Sequence, residues 1–304
     1  MINHILESQQ FSPDILYSLF KKADELRNGC KSCLSGKIIA TLFYEPSTRT
    51  RLSFESAMLK LGGTVISTEN AKEFSSAVKG ESLADTIRIV AAYCDCIILR
   101  HYETGAALVA SKVSKVPIIN AGDGKGQHPS QALLDCYTIY REFGRLENLK
   151  IAMVGDLASG RTVRSLCYIL GKFSNNEIIF VSPENLKMGE DIKDYLKKKG
   201  VSIREETDLN KILPEVDVVY MTRIQKERIS LQDYEKAKGK YVINEKNLGL
   251  INNASIIMHP LPHIEEIVLS LEVEENDKRV GYFRQAENGL YIRMALLDHI
   301  LNSK

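Results

Sequence analysis

Short apolar runs rich in β-branched residues alternate with longer amphipathic stretches along most of the chain. Runs at 37–44 (KIIATLFY), 64–68 (TVIST), 95–99 (DCIIL) and 116–120 (VPIIN) predict strands. Helical periodicity falls between and after them, near 49–61, 81–92, 103–112 and 129–142, and the first of these helices stops at Gly62-Gly63. The alternation restarts at 150–155 (KIAMVG) and continues through 178–182 (IIFVS), 217–221 (DVVYM), 240–244 (KYVIN) and 255–258 (SIIM). Near-continuous apolar strands alternating with helices predict parallel sheets covered on both faces. The fold class is therefore α/β, with two doubly wound parallel-sheet domains. The charged stretch 141–149 (REFGRLENL) marks the boundary between them. Leu290, Met294, Leu297 and Leu301 form one face of a helix over 287–303, which is expected to return to the first domain. The expected domains are 1–142 with 287–304, and 143–286. In such sheets ligands bind at the carboxyl ends of the strands, so the site is expected in the crevice between the two domains.

Composition narrows the function. Forty Lys and Arg against 39 Asp and Glu give 304 residues a net charge of +1, which argues against a general nucleic-acid-binding surface. No window approaches eighteen consecutive apolar residues, and MINHILESQQF lacks the basic and apolar regions of a secretory leader. The expected location is the cytoplasm, with reduced thiols and no membrane partner. Cys30 and Cys33 form a CxxC and Cys94 and Cys96 a CxC, while Cys136 and Cys167 stand alone. This is a poor match to zinc-ligand spacing, so no metal is expected. No cofactor is expected either: neither GxxxxGK[ST] nor GxGxxG occurs.

Two segments carry the chemistry. Tyr44-Glu45-Pro46-Ser47-Thr48-Arg49-Thr50-Arg51 follows a predicted strand and opens a predicted helix. Ser47 or Thr48 is placed to cap that helix, and its free amides, the two hydroxyls and Arg49 make a phosphate cradle. The plainer reading is an ordinary cap with solvated arginines. In 120–135 (NAGDGKGQHPSQALLD), a strand ends at Asn120 and Pro129 opens the next helix. His128 and Gln131 then share its first turn, with a neutral His128 poised to donate to a developing oxyanion. Arg100, Arg161 and Arg223 each sit at a strand end or in a loop, and Gln225 follows Arg223. Singly each reads as a solvated charge, but together they describe a site for polyanionic substrates, because Arg grips carboxylate and phosphate bidentately. Lys79 lies in a polar loop that would join them by folding over the site. No covalent nucleophile has a candidate, so direct transfer between two bound anions fits what is present.

These segments resemble the aspartate/ornithine carbamoyltransferase family over nearly the whole chain. The match includes 43–63 (FYEPSTRTRLSFESAMLKLGG), 79–86 (KGESLADT), 120–135, 153–166 (MVGDLASGRTVRSL), 221–228 (MTRIQKER) and 259–262 (HPLP). The Ser-Thr-Arg-Thr-Arg motif marks the family without choosing the acceptor. Ornithine-accepting members carry His-Cys-Leu-Pro and a Ser-Met-Gly loop, whereas here Pro260 takes the cysteine's place and no Ser-Met-Gly occurs. The resemblance therefore implies transfer of the carbamoyl group from carbamoyl phosphate to the α-amine of L-aspartate, in pyrimidine synthesis.

Position by position, the resemblance gives carbamoyl phosphate to Ser47, Thr48, Arg49, Thr50, Arg100, His128, Gln131 and the Leu261 carbonyl, with Ser75 from a neighbouring subunit. It gives L-aspartate to Arg161, Arg223, Gln225, Leu261 and Pro262, with the neighbour's Lys79, and has the Pro260 and Leu261 carbonyls orient the reacting amines. Arg49, Thr50, His128 and Lys79 are the catalytic set. The implied assembly is a homotrimer with shared sites, open to regulatory chains in a larger particle. Two departures bear on regulation: Ala158-Ser159 replaces a Lys-Tyr pair of the regulated enzymes, and His263 replaces an arginine. Glu45 and Arg228 are retained as a pair able to stabilise domain closure. The competing readings are another amino-acid acceptor, such as ornithine, and an inactive scaffold, which would be expected to have lost Arg49, His128 or Lys79. A dinucleotide oxidoreductase fits the fold but lacks the glycine fingerprint.

Overall fold

The computed structural model describes residues 4–29, 34–74, 76–224, 234 and 239–302. The chain divides into two compact units, Met1–Tyr137 with Glu287–Lys304, and Thr138–Ala286. In the first, β1 (Ile38–Phe43), β2 (Thr64–Glu69), β3 (Cys96–His101) and β4 (Ile118–Asp123) form a parallel sheet in the order β2-β1-β3-β4. Side chains of a strand alternate between faces, and Ala40, Leu42, Ile97 and Leu99 gather with Ile87 of α4 (Leu83–Val90) and Ala110 of α5 (Ala106–Val113). Helix α2 (Thr48–Lys60) lies along β1 and β2 and buries Phe54, Ala57 and Met58, a stripe at helical spacing. β2 is the edge strand and is largely exposed, as its Thr, Ser and Glu content allows.

Helix α1 (Pro13–Arg27) opens with Ser12 Oγ accepting from Ile15 N–H at 3.3 Å and with Pro13 at its first position. It buries Leu16, Leu19, Phe20, Ala23 and Leu26. The C-terminal helix spans Tyr282–Asn302, beginning before the predicted 287. Its later turns join the first unit: Arg27 reaches Glu287 at 3.0 Å and Asn288 at 2.6 Å, and Lys22 pairs with Asp298 at 3.2 Å.

The second unit has a parallel sheet of β5 (Lys150–Val154), β6 (Glu177–Val181), β7 (Ser202–Glu206), β8 (Val218–Met221) and β10 (Ile256–Met258), ordered β10-β8-β5-β6-β7. Ala152, Val154, Ile179, Val181, Val219, Met221 and Ile257 are buried on its core face. Helix α7 (Arg161–Leu170) follows β5, and α8 (Glu190–Lys198) lies between β6 and β7. The expected strand at 240–244 is corrected here. Only β9 (Ile243–Asn244) forms, and it pairs with β11 (Ile267–Val268) in a separate two-stranded ladder. Asn244 leaves the strand because its side chain caps the next helical turn, accepting from Lys246 N–H at 2.9 Å while Asn247 answers to Asn244 N–H at 2.9 Å.

Each main sheet reverses its order of growth once, between β1 and β3 in the first unit and between β5 and β8 in the second. At such a point the connections leave in opposite directions and open a crevice at the carboxyl ends of the strands. Gly155, directly after β5, closes against the end of β8: its φ is +115°, and an added Cβ would meet Thr222 O at 2.2 Å. Gly155→Ala is expected to destabilise the fold by about 2 kcal/mol or more, from strain plus backbone displacement. The denaturant midpoint of purified protein checks it, and an unchanged midpoint counts against this reading of the β5–β8 junction.

Candidate active site

The chain leaves β1 at Phe43 and enters α2 at Thr48, on the reversal point of the first sheet. Ser47 is the N-cap residue but makes no side-chain cap hydrogen bond, so the expected hydroxyl cap is absent there. The first amides of α2 carry the positive end of its dipole. The two arginines of this segment divide their roles. Arg51 is turned inward, with Nη1 3.3 Å from Glu55 Oε1 and Nη2 2.8 Å from Glu69 Oε2. Arg49 is exposed and has no carboxylate partner among the described residues. Thr50 is buried, and Ser47 half-buried.

Arg100 projects from β3 beside this turn. Its Nη2 lies 2.9 Å from Glu45 Oε2, and Nη1 donates to Ala121 O at 3.2 Å. Glu45 is therefore engaged with Arg100, while Arg228 lies outside the described residues. His101, next on the strand, accepts from Glu103 N–H through Nδ1 at 3.0 Å and stacks against Tyr102. Burial pushes its pKa below the usual value.

The loop after β4 is tied by its own polar side chains. Asp123 accepts from Gly105 N–H at 2.8 Å, from Gln127 N–H at 2.9 Å and from Asn120 Nδ2 at 3.1 Å. It delivers His128 to the start of α6 (Pro129–Phe143). His128 is 4% exposed, its Nδ1 is 3.3 Å from Ser130 Oγ, and its carbonyl accepts from the Gln131 and Ala132 amides. Gln131 Nε2 donates to Asp135 Oδ1 at 2.9 Å. Asp135 is fully buried, and its charge acts on Arg293 of the C-terminal helix. Burial draws the Arg293 pKa down to about 10, with Asp135 offsetting part of that penalty.

In the second unit, Arg161 is the first residue of α7 and Arg223 follows β8, the two strands that flank the reversal point. Both are half-buried. Between β5 and α7, Asp156 is fully buried and accepts from Ser159 N–H at 2.9 Å. The loop after β10 holds Leu261 at φ +52°. His259 shapes that loop: its Nδ1 accepts from Leu261 N–H at 2.7 Å and its Nε2 is 2.8 Å from the buried Glu266. Ile224 and Leu261 pack on the same apolar cluster, which places the residue after Arg223 and this loop on one part of the core.

Two sequence models match in tandem. Residues 3–141 match "Aspartate/ornithine carbamoyltransferase, carbamoyl-P binding domain", and residues 147–300 match "Aspartate/ornithine carbamoyltransferase, Asp/Orn binding domain". The chain belongs to the aspartate/ornithine carbamoyltransferase family. Among relatives in this carbamoyltransferase family, aspartate carbamoyltransferase 3, chloroplastic, of Pisum sativum is 56% identical, covering 99% of this chain and 78% of the relative. The catalytic subunit of M. jannaschii aspartate transcarbamoylase superposes with a TM-score of 0.90 at 47% identity, covering 99% of this chain and 98% of that one. Aspartate transcarbamoylase from Trypanosoma cruzi in complex with carbamoyl phosphate and aspartate gives a TM-score of 0.90 at 38% identity, covering 97% and 94%.

Within the carbamoyltransferase frame, the first unit brings together the Ser47–Thr50 turn and Arg100 on neighbouring strand ends, and His128 and Gln131 on one helical turn. The second brings Arg161 and Arg223 to one reversal point. Lys79 is exposed on the short turn Ser76–Lys79, and Ser75 and Gln225 lie outside the described residues. Of the two departures noted in the sequence, Ala158 is exposed, and His263 Nε2 sits 3.4 Å from Glu274 Oε1 beside Tyr282. Among the described residues, no group of three His, Cys, Asp or Glu is placed to hold a metal ion. Sequence reasoning passed over Asp123, Asp135, Glu266 and Arg293. The signal for Asp135 was present, since it lies one turn from Gln131 in a run otherwise buried and apolar.

A histidine whose folded pKa lies below its unfolded value of 6.5 contributes stability that is present above 6.5 and lost as pH falls through the folded value. His101 has that sign. The protein should therefore lose stability as pH falls below about 6.5, and His101→Gln should flatten that decline by up to about one proton's linkage. Denaturation curves at several pH values measure it, and identical slopes in the two proteins rule out the assignment.

Proposed function

We propose that the chain catalyses carbamoyl transfer from carbamoyl phosphate to the α-amine of L-aspartate, giving N-carbamoyl-L-aspartate and phosphate, the step that commits carbamoyl phosphate to pyrimidine synthesis. The observation that carries this reading is the placement of the exposed Arg49, in the first turn of α2 after β1, and of Arg100, at the end of the neighbouring strand β3, at one reversal point of the sheet. In the reading, residues 1–142 with 287–304 bind carbamoyl phosphate and residues 143–286 bind L-aspartate. Ser47, Thr48, Thr50 and Arg100 hold the phosphate. Gln131 accepts from the carbamoyl amine. Arg161, Arg223 and Gln225 hold the two aspartate carboxylates, and the Pro260, Leu261 and Pro262 loop orients the reacting amines.

The aspartate amine attacks the carbamoyl carbon to give a tetrahedral oxyanion, which Arg49, Thr50 and His128 stabilise. The C–O bond to phosphate then breaks and phosphate leaves. Among the described residues no side chain is assigned as general base, and in this reading the departing phosphate takes the amine proton. Loss of one oxyanion donor typically costs ~10²–10³ in rate, and holding two anions in register supplies much of the rest.

The active particle in this reading is a homotrimer, with Ser75 and Lys79 reaching into the neighbouring subunit's site. Exposed Leu52 and Leu59 on α2 and Ile66 on β2 support a surface covered by another copy. Ala158-Ser159 in place of the Lys-Tyr pair argues against cooperative control of the familiar type, and leaves a larger assembly with regulatory chains open. The free thiols of Cys94, Cys96, Cys136 and Cys167 fit a reducing compartment, of which the cytoplasm is the one proposed.

Arg49→Ala should lower transfer to L-aspartate by about a hundredfold or more, and L-ornithine should not be carbamoylated. Transfer to ornithine would refute the acceptor assignment. Arg49→Ala and Lys79→Ala subunits, each inactive alone, should regain activity when mixed and reassembled, with a particle mass near three times 34.2 kDa. Failure of the hybrid to regain activity removes the shared site.

A further inference from the structure

We propose that Asp135 is a positioning residue, whose carboxylate fixes the Gln131 amide so that Oε1, and not Nε2, is presented to the amine of carbamoyl phosphate. The proposal rests on the assignment of Gln131 to that amine made above.

A glutamine amide has two ends of nearly equal size and opposite hydrogen-bonding sense. Rotating it by half a turn would replace an acceptor with a donor at the reacting nitrogen, and an NH₂ facing an NH₂ repels where the transferred group must be held. Gln131 is 8% exposed and its Nε2 donates to Asp135 Oδ1 at 2.9 Å, one helical turn along α6. A carboxylate accepts only, so the flipped amide would bring two acceptor oxygens together in a buried place. Such an unsatisfied contact is costly, and the flip is suppressed.

The carboxylate is backed from another element. Arg293 of the C-terminal helix is 4% exposed, lies over the Phe54 ring at 5.1 Å, and interacts with the charge of Asp135. Phe54 stands one turn after Thr50 on α2. Room for the guanidinium comes from Gly289, where an added Cβ would approach Arg293 Nη1 to 2.5 Å. Arg293 thus packs on the helix that carries Arg49 and Thr50 while its charge favours the ionised form of Asp135.

The test compares binding of three probes, carbamoyl phosphate, acetyl phosphate and inorganic phosphate. Acetyl phosphate carries a methyl group where carbamoyl phosphate carries its amine. Asp135→Asn allows either amide orientation, so carbamoyl phosphate should bind about tenfold more weakly, with acetyl phosphate and inorganic phosphate unchanged. In the Gln131→Met background the same substitution should have no further effect on carbamoyl phosphate, because Asp135 acts through Gln131. Equal weakening of all three probes, or full retention of carbamoyl phosphate affinity, overturns the proposal. A native protein that binds carbamoyl and acetyl phosphate equally overturns the underlying role of Gln131, and the proposal with it. A native protein that discriminates, with an Asp135→Asn variant that still does, overturns the proposal alone.

Should Asp135→Asn not fold, the native protein carries the test. The Gln131 side-chain NH₂ resonance, identified by its loss in Gln131→Met, should exchange slowly and keep its shift when carbamoyl phosphate binds. Fast exchange in the free protein with a large shift on binding overturns the assignment.

Discussion

Every strand of the two main sheets runs parallel to its neighbours, and a parallel pair forces the chain to travel back through a crossover before the next strand begins. Both faces of each sheet must be covered, so the order of growth turns around once. That single reversal decides where exposed backbone ends meet open space. The loop into α2 and the end of β3 meet at one such place, and the loops after β5 and β8 at the other. Arg49 and Arg100 occupy the first, Arg161 and Arg223 the second. The positive charges are gathered by topology, without any basic bias in the chain as a whole.

The loops at these places are held by polar groups removed from water. Asp123, Asp135, Asp156 and the His259–Glu266 pair are all buried, and each holds a nearby backbone or side-chain group by a hydrogen bond. Such groups are costly to leave unsatisfied, and so they admit few alternative loop conformations. Leu261 illustrates the point. A branched side chain at positive φ is disfavoured, and the hydrogen bond from its own N–H to His259 holds it there.

Much of the fold was legible in the sequence because buried parallel strands are nearly all apolar. Runs such as KIIATLFY and KIAMVG could hardly be anything else. Ser202–Glu206 escaped notice because it is an edge strand, SIREE, with three charged residues. KYVIN was over-read: its apolar content is that of a strand, but the side-chain capping by Asn244 ends it after two residues. Helix α1 was missed although Ser12-Pro13 announces its start. For the proposed site, the candidate residues were legible as residue type at a strand end. The residues behind it were not, because a buried Asp and a buried Arg look like surface charges until the fold places Asp135 and Arg293 in the interior.

The contact between Glu45 and Arg100 has a consequence for selectivity. The Arg100 guanidinium already has a carboxylate against it, at 2.9 Å. A newcomer must compete with that tethered carboxylate and not merely with water. A singly charged, weakly coordinating ion gains little by the exchange, whereas a phosphoryl group with several oxygens can engage the arginine's fork and the α2 amides together. Under the proposed function, an anion that engages Arg100 must match Glu45 in both charge and geometry.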